Sequence, residues 1–148
     1  MAADVTVNLP SIDDLTKVLI GGQMSTGLAG AGAVVAGEVR KRWLSGKGSN
    51  NETFTAGNPK YLAYKSQQGL NAQIDMFGAS KGGHMAPSFG VKSVDDRQAI
   101  LSFDSQQLSK ARSNYDKRPE MLTIDDSLGI IANKAFNQFL KKVIRFLK

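Results

Sequence analysis

Between Lys17 and Glu38 the chain carries no charge for about twenty residues, and most of that run is glycine, alanine and valine. Three structures use such a run: a membrane span, a phosphate-binding loop leading into a helix, or a helix whose small residues let another backbone come close. Gln23, Ser25, Thr26 and the many glycines, with no run of large aliphatic residues, argue against a span. A P-loop needs Lys and then Ser or Thr after its second glycine, whereas Gly32-Ala-Val-Val-Ala-Gly37 is followed by Glu38 and Val39. Gly30-Ala-Gly32 opens a dinucleotide fingerprint, but its third glycine position is Val35. The helix remains. From Ser25 to Leu44, the residues Leu28, Ala31, Val35, Val39 and Trp43 recur at steps of three and four. Each glycine inside a helix costs about 0.5–1 kcal/mol relative to alanine, so Gly27, Gly30, Gly32 and Gly37 imply a tight helix crossing or a subunit contact.

Arg40-Lys41-Arg42 places positive charge at the end of this helix, where it complements the dipole, and Gly46 and Gly48 stop it. Upstream, Ser11-Ile12-Asp13-Asp14 reads as a helix start, with Ile12, Leu15, Val18 and Leu19 at helical spacing and a break at Gly21-Gly22. Residues 45–87, dense in Gly, Ser, Asn and Lys, read as a long irregular connection with a short helical or extended piece around Tyr61 to Ser66. Alternation predicts strands over 88–93, through Phe89 and Val91, and over 98–104, through Ala99, Leu101 and Phe103. Val94-Asp95-Asp96-Arg97 turns them into an antiparallel hairpin.

Ser105 caps a short helix to Asn114, which Lys117-Arg118-Pro119 ends. Thr123-Ile124-Asp125-Asp126 caps a long terminal helix. Its apolar side runs through Leu128, Ile131, Ala135, Phe139 and Val143, widened by Phe136, Leu140 and Ile144. Lys134, Gln138, Lys141, Arg145 and Lys148 align on the other side. The expected fold is α+β: N-terminal helices and a long C-terminal helix packed on a small antiparallel sheet, with a long irregular loop. One domain over 1–148 is expected, with helices in 11–44, the loop at 45–87, the hairpin at 88–104 and helices over 105–148.

The absence of cysteine excludes disulfides, thiolate ligands and thiol nucleophiles, and the single histidine, His84, cannot build a multi-histidine metal site. Asp95-Asp96 and Asp125-Asp126 are accounted for by a turn and a cap. No catalytic, cofactor-binding or metal residue is therefore expected, and no enzyme activity. The net charge of +6 admits nucleic acid or an acidic protein surface as a partner. Tyr61 and Tyr64 with Lys60 and Lys65 interleave aromatic and basic groups as single-strand binders do, but two aromatics are few, and their expected role is to pin the loop onto the core. Asp4, Asp13 and Asp14 leave no basic n-region for a secretory signal.

The order Arg40-Lys41-Arg42-Trp43, then Gly46-Lys47-Gly48-Ser49 with Phe54, then Asn58-Pro59-Lys60-Tyr61-Leu62-Ala63-Tyr64-Lys65 resembles the Mu-type virion morphogenesis family of tailed bacteriophages. The resemblance continues through Ser88-Phe89-Gly90-Val91-Lys92-Ser93-Val94, Phe103, Ala111-Arg112 and Arg118-Pro119, covering roughly residues 38 to 126. The chain departs from it at the Gly-rich stretch from Ala79 to Met85 and at Glu120-Met121. It implies a non-enzymatic neck or tail-completion subunit joining head to tail in a homo-oligomeric ring around the DNA channel. The implied partners are itself, portal-side, neck or tail-tube proteins, and DNA passing through, with no membrane. The implied location is the virion, after assembly in the host cytoplasm. Arg40, Arg42, Trp43, Lys47, Tyr61, Tyr64, Lys65 and Arg118 become candidate interface residues. Lys134, Lys141, Arg145 and Lys148 become a candidate face for DNA in the lumen or for an acidic partner. The alternative is a basic nucleic-acid-binding domain using the terminal helix.

Overall fold

A computed structural model describes residues 5–6, 22–54, 58–69 and 85–146. The architecture is α+β. Helix α1 is Gly22–Leu44, α2 Pro59–Gln67, α3 the single turn Met85–Ser88, α4 Leu108–Lys117 and α5 Asp126–Phe146. Strands β1 (Val5–Thr6), β2 (Gly90–Val94) and β3 (Ala99–Ser102) form one antiparallel sheet in the order β1-β3-β2. The expected helix start at Ser11, the break at Gly21, His84 and Lys148 lie outside the described residues.

The chain gathers into two compact units that alternate along the sequence. One takes Gly90–Ser102 and Asp126–Lys148 together with the chain up to Gly37; the other takes Glu38–Phe89 and Phe103–Asp125.

In the first unit the glycines of α1 explain the packing. A methyl group at Gly32 would stand 2.9 Å from Val91 Cγ2 and 3.2 Å from Leu101 Cδ2, so the helix lies against the sheet at that point. At Gly27 a methyl group would meet the rings of Phe139 and Phe136, so α1 crosses α5 there just as tightly. Met24, Leu28, Ala31, Val35 and Ala36 of α1, Ala99 and Leu101 of β3, and Leu128, Ala132, Phe136 and Leu140 of α5 are buried.

The most buried line of α5 is thus Leu128-Ala132-Phe136-Leu140, whereas the expected line through Ile131, Ala135, Phe139 and Val143 is its half-buried flank. Steps of four and steps of three or four fit the same sequence, and contact with α1 at Gly27 selects between them. The hairpin register runs Val91↔Leu101 and then Ser93↔Ile100, which makes Lys92 the extra residue of a bulge on the edge strand. Asp95 closes the turn: its carboxylate accepts from the amides of Arg97 and Gln98, both at 2.8 Å.

In the second unit the core is aromatic. Trp43 stacks on Phe103 with ring centroids 5.8 Å apart and planes 7° from parallel, and Phe89 meets both rings at 5.0 Å. Both phenylalanines stand just outside their strands, one residue before β2 and one after β3. Val39, Met85, Ala86, Ala111 and Met121 complete this core. The helix expected over 105–114 is a 3-10 turn at Ser105–Gln107 followed by α4, which runs three residues further, to Lys117. Ser105 lies inside that turn and caps nothing. Thr123 does not cap α5 either: the helix begins three residues later, at Asp126, and the Thr123 hydroxyl donates back to the Pro119 carbonyl.

Candidate functional site

Arg42 and Trp43 were expected at an interface, yet each is buried and bonded within its own unit. The guanidinium of Arg42 donates to Glu38 Oε1 at 3.1 Å, to Asp125 Oδ1 at 3.4 Å and to the carbonyl of Ser49. Trp43 Nε1 donates to the Met121 carbonyl at 2.8 Å. Ser49 is buried, its hydroxyl donating to the Thr123 carbonyl at 2.6 Å, and its amide donating to Glu120 O at 3.1 Å. Beside it, a methyl group at Gly48 would stand 2.1 Å from the Glu120 carbonyl oxygen, which is why glycine is needed where these two backbones meet.

Arg118 is buried too, its guanidinium 5.9 Å from the centre of the Phe54 ring. Arg40 donates to the Phe89 carbonyl at 3.0 Å, and Lys47 bridges to Thr53 as the loop closes. The residue order that carries the resemblance therefore encodes a buckle fastening the 45–54 loop to the 118–125 segment. An arginine-tryptophan pair reads from sequence as a surface motif, because nothing in it announces the carbonyls that will face it.

The tyrosines behave in the opposite way. Asn58 caps α2 by accepting from the Lys60 amide, and Pro59 opens it. On this short helix Tyr61 and Tyr64 are 50% and 54% exposed, with ring centroids 6.5 Å apart, so about half of each side chain faces outward. Lys65 is the buried residue of α2, its ammonium 5.7 Å from the centre of the Tyr61 ring. Of the eight candidate interface residues only these two tyrosines are exposed; Arg40 and Lys47 are half-buried and the other four are buried.

Two further surfaces stand out. On α1, Thr26, Gly30, Ala33, Val34, Lys41 and Leu44 are exposed along one face. Val34 is 48% and Leu44 50% exposed, and apart from the helix's own neighbouring backbone no atom of the described residues comes within 4 Å of a methyl group built at Gly30 or Gly37. Sequence alone could not separate this outward pair of glycines from the inward pair, Gly27 and Gly32. On α5, Lys134, Gln138, Lys141 and Arg145 are all exposed, as expected, and so is Lys142, which the sequence reading left out. Lys142 follows Gln138 by four residues, a spacing that would have found it.

Among the described residues no group of three or more His, Asp or Glu is placed to hold a metal ion, and no helix is long and apolar enough to cross a membrane. Comparison with known proteins finds no matching family model, no matching curated protein and no matching solved structure.

Proposed function

We propose that this chain is a structural subunit of a tailed-phage virion, of the neck or tail-completion kind, which assembles in the host cytoplasm as a homo-oligomeric ring around the DNA channel. Its work is joining head to tail by contact, without catalysis. The resemblance over residues 38 to 126 supplies the class of protein. The observation that carries the assembling role is the outward face of α1.

Gly27 and Gly32 are offset by contacts inside the chain, but Gly30 and Gly37 meet nothing among the described residues. Each weakens the helix by about 0.5–1 kcal/mol without a packing contact to another element among the described residues. A neighbouring copy seated on this face, with Val34 as its apolar contact, accounts for both. A contact between unlike patches of two copies closes into a ring when its rotation permits.

The test is to mix the purified chain with tail tubes and, separately, with portal-bearing heads, and to image both by negative stain. A ring of added density at one end of either particle is expected. A chain that stays free of both contradicts the reading.

A further inference from the structure

We infer that the outward face of α5 binds the phosphates of double-stranded DNA without reading its sequence. From Ser127 to Arg145 the helix contains no acidic residue, while Lys134, Lys141, Lys142 and Arg145 are all exposed. At 100° per residue, Lys134, Gln138, Lys141 and Arg145 fall within an arc of about 60°, and at 1.5 Å per residue they extend about 16 Å along the axis. That length matches about five phosphates of one strand at 3.4 Å of axis each. From Ser127 on, α5 itself brings no carboxylate to compete for the cations.

The neutral polar residues beside them favour the same partner. Asn133, Asn137 and Gln138 are exposed amides, a side-chain type that donates to phosphate and sugar oxygens. An anionic membrane is the poorer fit, because a helix lying on lipid must offer its apolar side, and Leu128, Ala132, Phe136 and Leu140 are buried. An acidic protein is also a poorer fit: stable protein interfaces centre on apolar or aromatic anchors and are poor in lysine. Among the residues of α5 whose burial is described, the one large apolar side chain exposed is Ile130, at the N-terminal end, before the first lysine. DNA phosphates need only cations along one side of the helix, and Lys134, Lys141 and Arg145 supply them, with Lys142 beside that line.

The inference does not depend on ring formation, since a single copy presents the same face. It is tested by fluorescence anisotropy of the full chain with duplexes of about 30 base pairs in two unrelated sequences. Four phosphate contacts predict a slope of log affinity against log salt of about −3.6, hence a loss of about a hundredfold between roughly 50 and 200 mM salt. Both sequences should bind equally. Single replacements Lys134→Gln, Lys141→Gln, Lys142→Gln and Arg145→Gln should each flatten the slope by about 0.9, and the fourfold variant should abolish binding.

Salt-independent binding, a fourfold variant that binds as the wild type does, or capture by phosphatidylserine vesicles in preference to the duplex overturns the inference. If copies fail to associate yet the duplex binds with this slope, the assembly reading falls and the inference stands.

Discussion

A methyl group placed on Gly27 would stand 2.4 Å from Cδ1 of Phe139, closer than two carbons can approach. The crossing of α1 and α5 is therefore set by a missing side chain, and Gly27, Gly30, Gly32 and Gly37 divide into two kinds. Gly27→Ala must displace the ring and should destabilise the chain by about 1–3 kcal/mol. Gly30→Ala and Gly37→Ala should each stabilise the unassociated chain by about 0.5–1 kcal/mol. Urea unfolding of the three variants at low protein concentration checks both signs.

Arg42 joins Glu38, Asp125 and the Ser49 carbonyl from a buried position. Removing one partner of a fully buried pair costs roughly 3–5 kcal/mol, but the two carboxylates here keep about a third of their surface, so screening lowers the figure. Arg42→Ala should destabilise by about 1–3 kcal/mol. Arg42→Lys should recover only part of this, because an ammonium lacks the planar fork that reaches three acceptors. Thermal unfolding of both variants gives the comparison.

The single tryptophan reports on the aromatic core. Trp43 has no exposed surface, and its indole N–H is held by the Met121 carbonyl. Its emission should be blue-shifted and shielded from iodide until unfolding. Trp43→Phe keeps a ring beside Phe103 but strands the Met121 carbonyl, at a cost of about 1–3 kcal/mol. Unaltered stability in the phenylalanine variant would show that this hydrogen bond contributes nothing.

Asp95 is held below its usual pKa of 3.8, first by the Arg97 amide and then by the Gln98 amide. A group depressed in the folded state contributes stability that is fully present above its unfolded pKa and is lost as pH falls through its folded pKa. The hairpin turn should therefore weaken in acid below about pH 4. Asp95→Asn keeps an acceptor without the charge and should remove this component of the acid dependence. Amide exchange across β2 and β3, compared between the two proteins as pH is lowered, shows whether it does.

Elements with one strong period were legible from sequence. The buried line of α1 through Leu28, Ala31, Val35, Val39 and Trp43, the hairpin turning at Asp95, and the basic side of α5 all stand where spacing placed them. What failed to show was whatever depends on a distant partner. The carbonyls of Ser49 and Met121 turn Arg42 and Trp43 from surface candidates into the fastening of a core, and no local pattern announces a carbonyl. Tyr61 and Tyr64 lie on a helix whose buried residue is a lysine, which reverses the usual assignment of aromatic inward and charge outward. Val34 and Leu44 look like the apolar residues beside them until the fold shows which way they face.

The mass of the protein in solution decides whether the outward face of α1 holds copies of the chain together, as proposed. Light scattering of the wild type alongside Gly30→Leu and Val34→Glu separates the cases. The account predicts a discrete closed oligomer for the wild type and monomers for both variants, each still folded by its tryptophan emission. A wild type that remains monomeric at every concentration, or variants that assemble as it does, would contradict it.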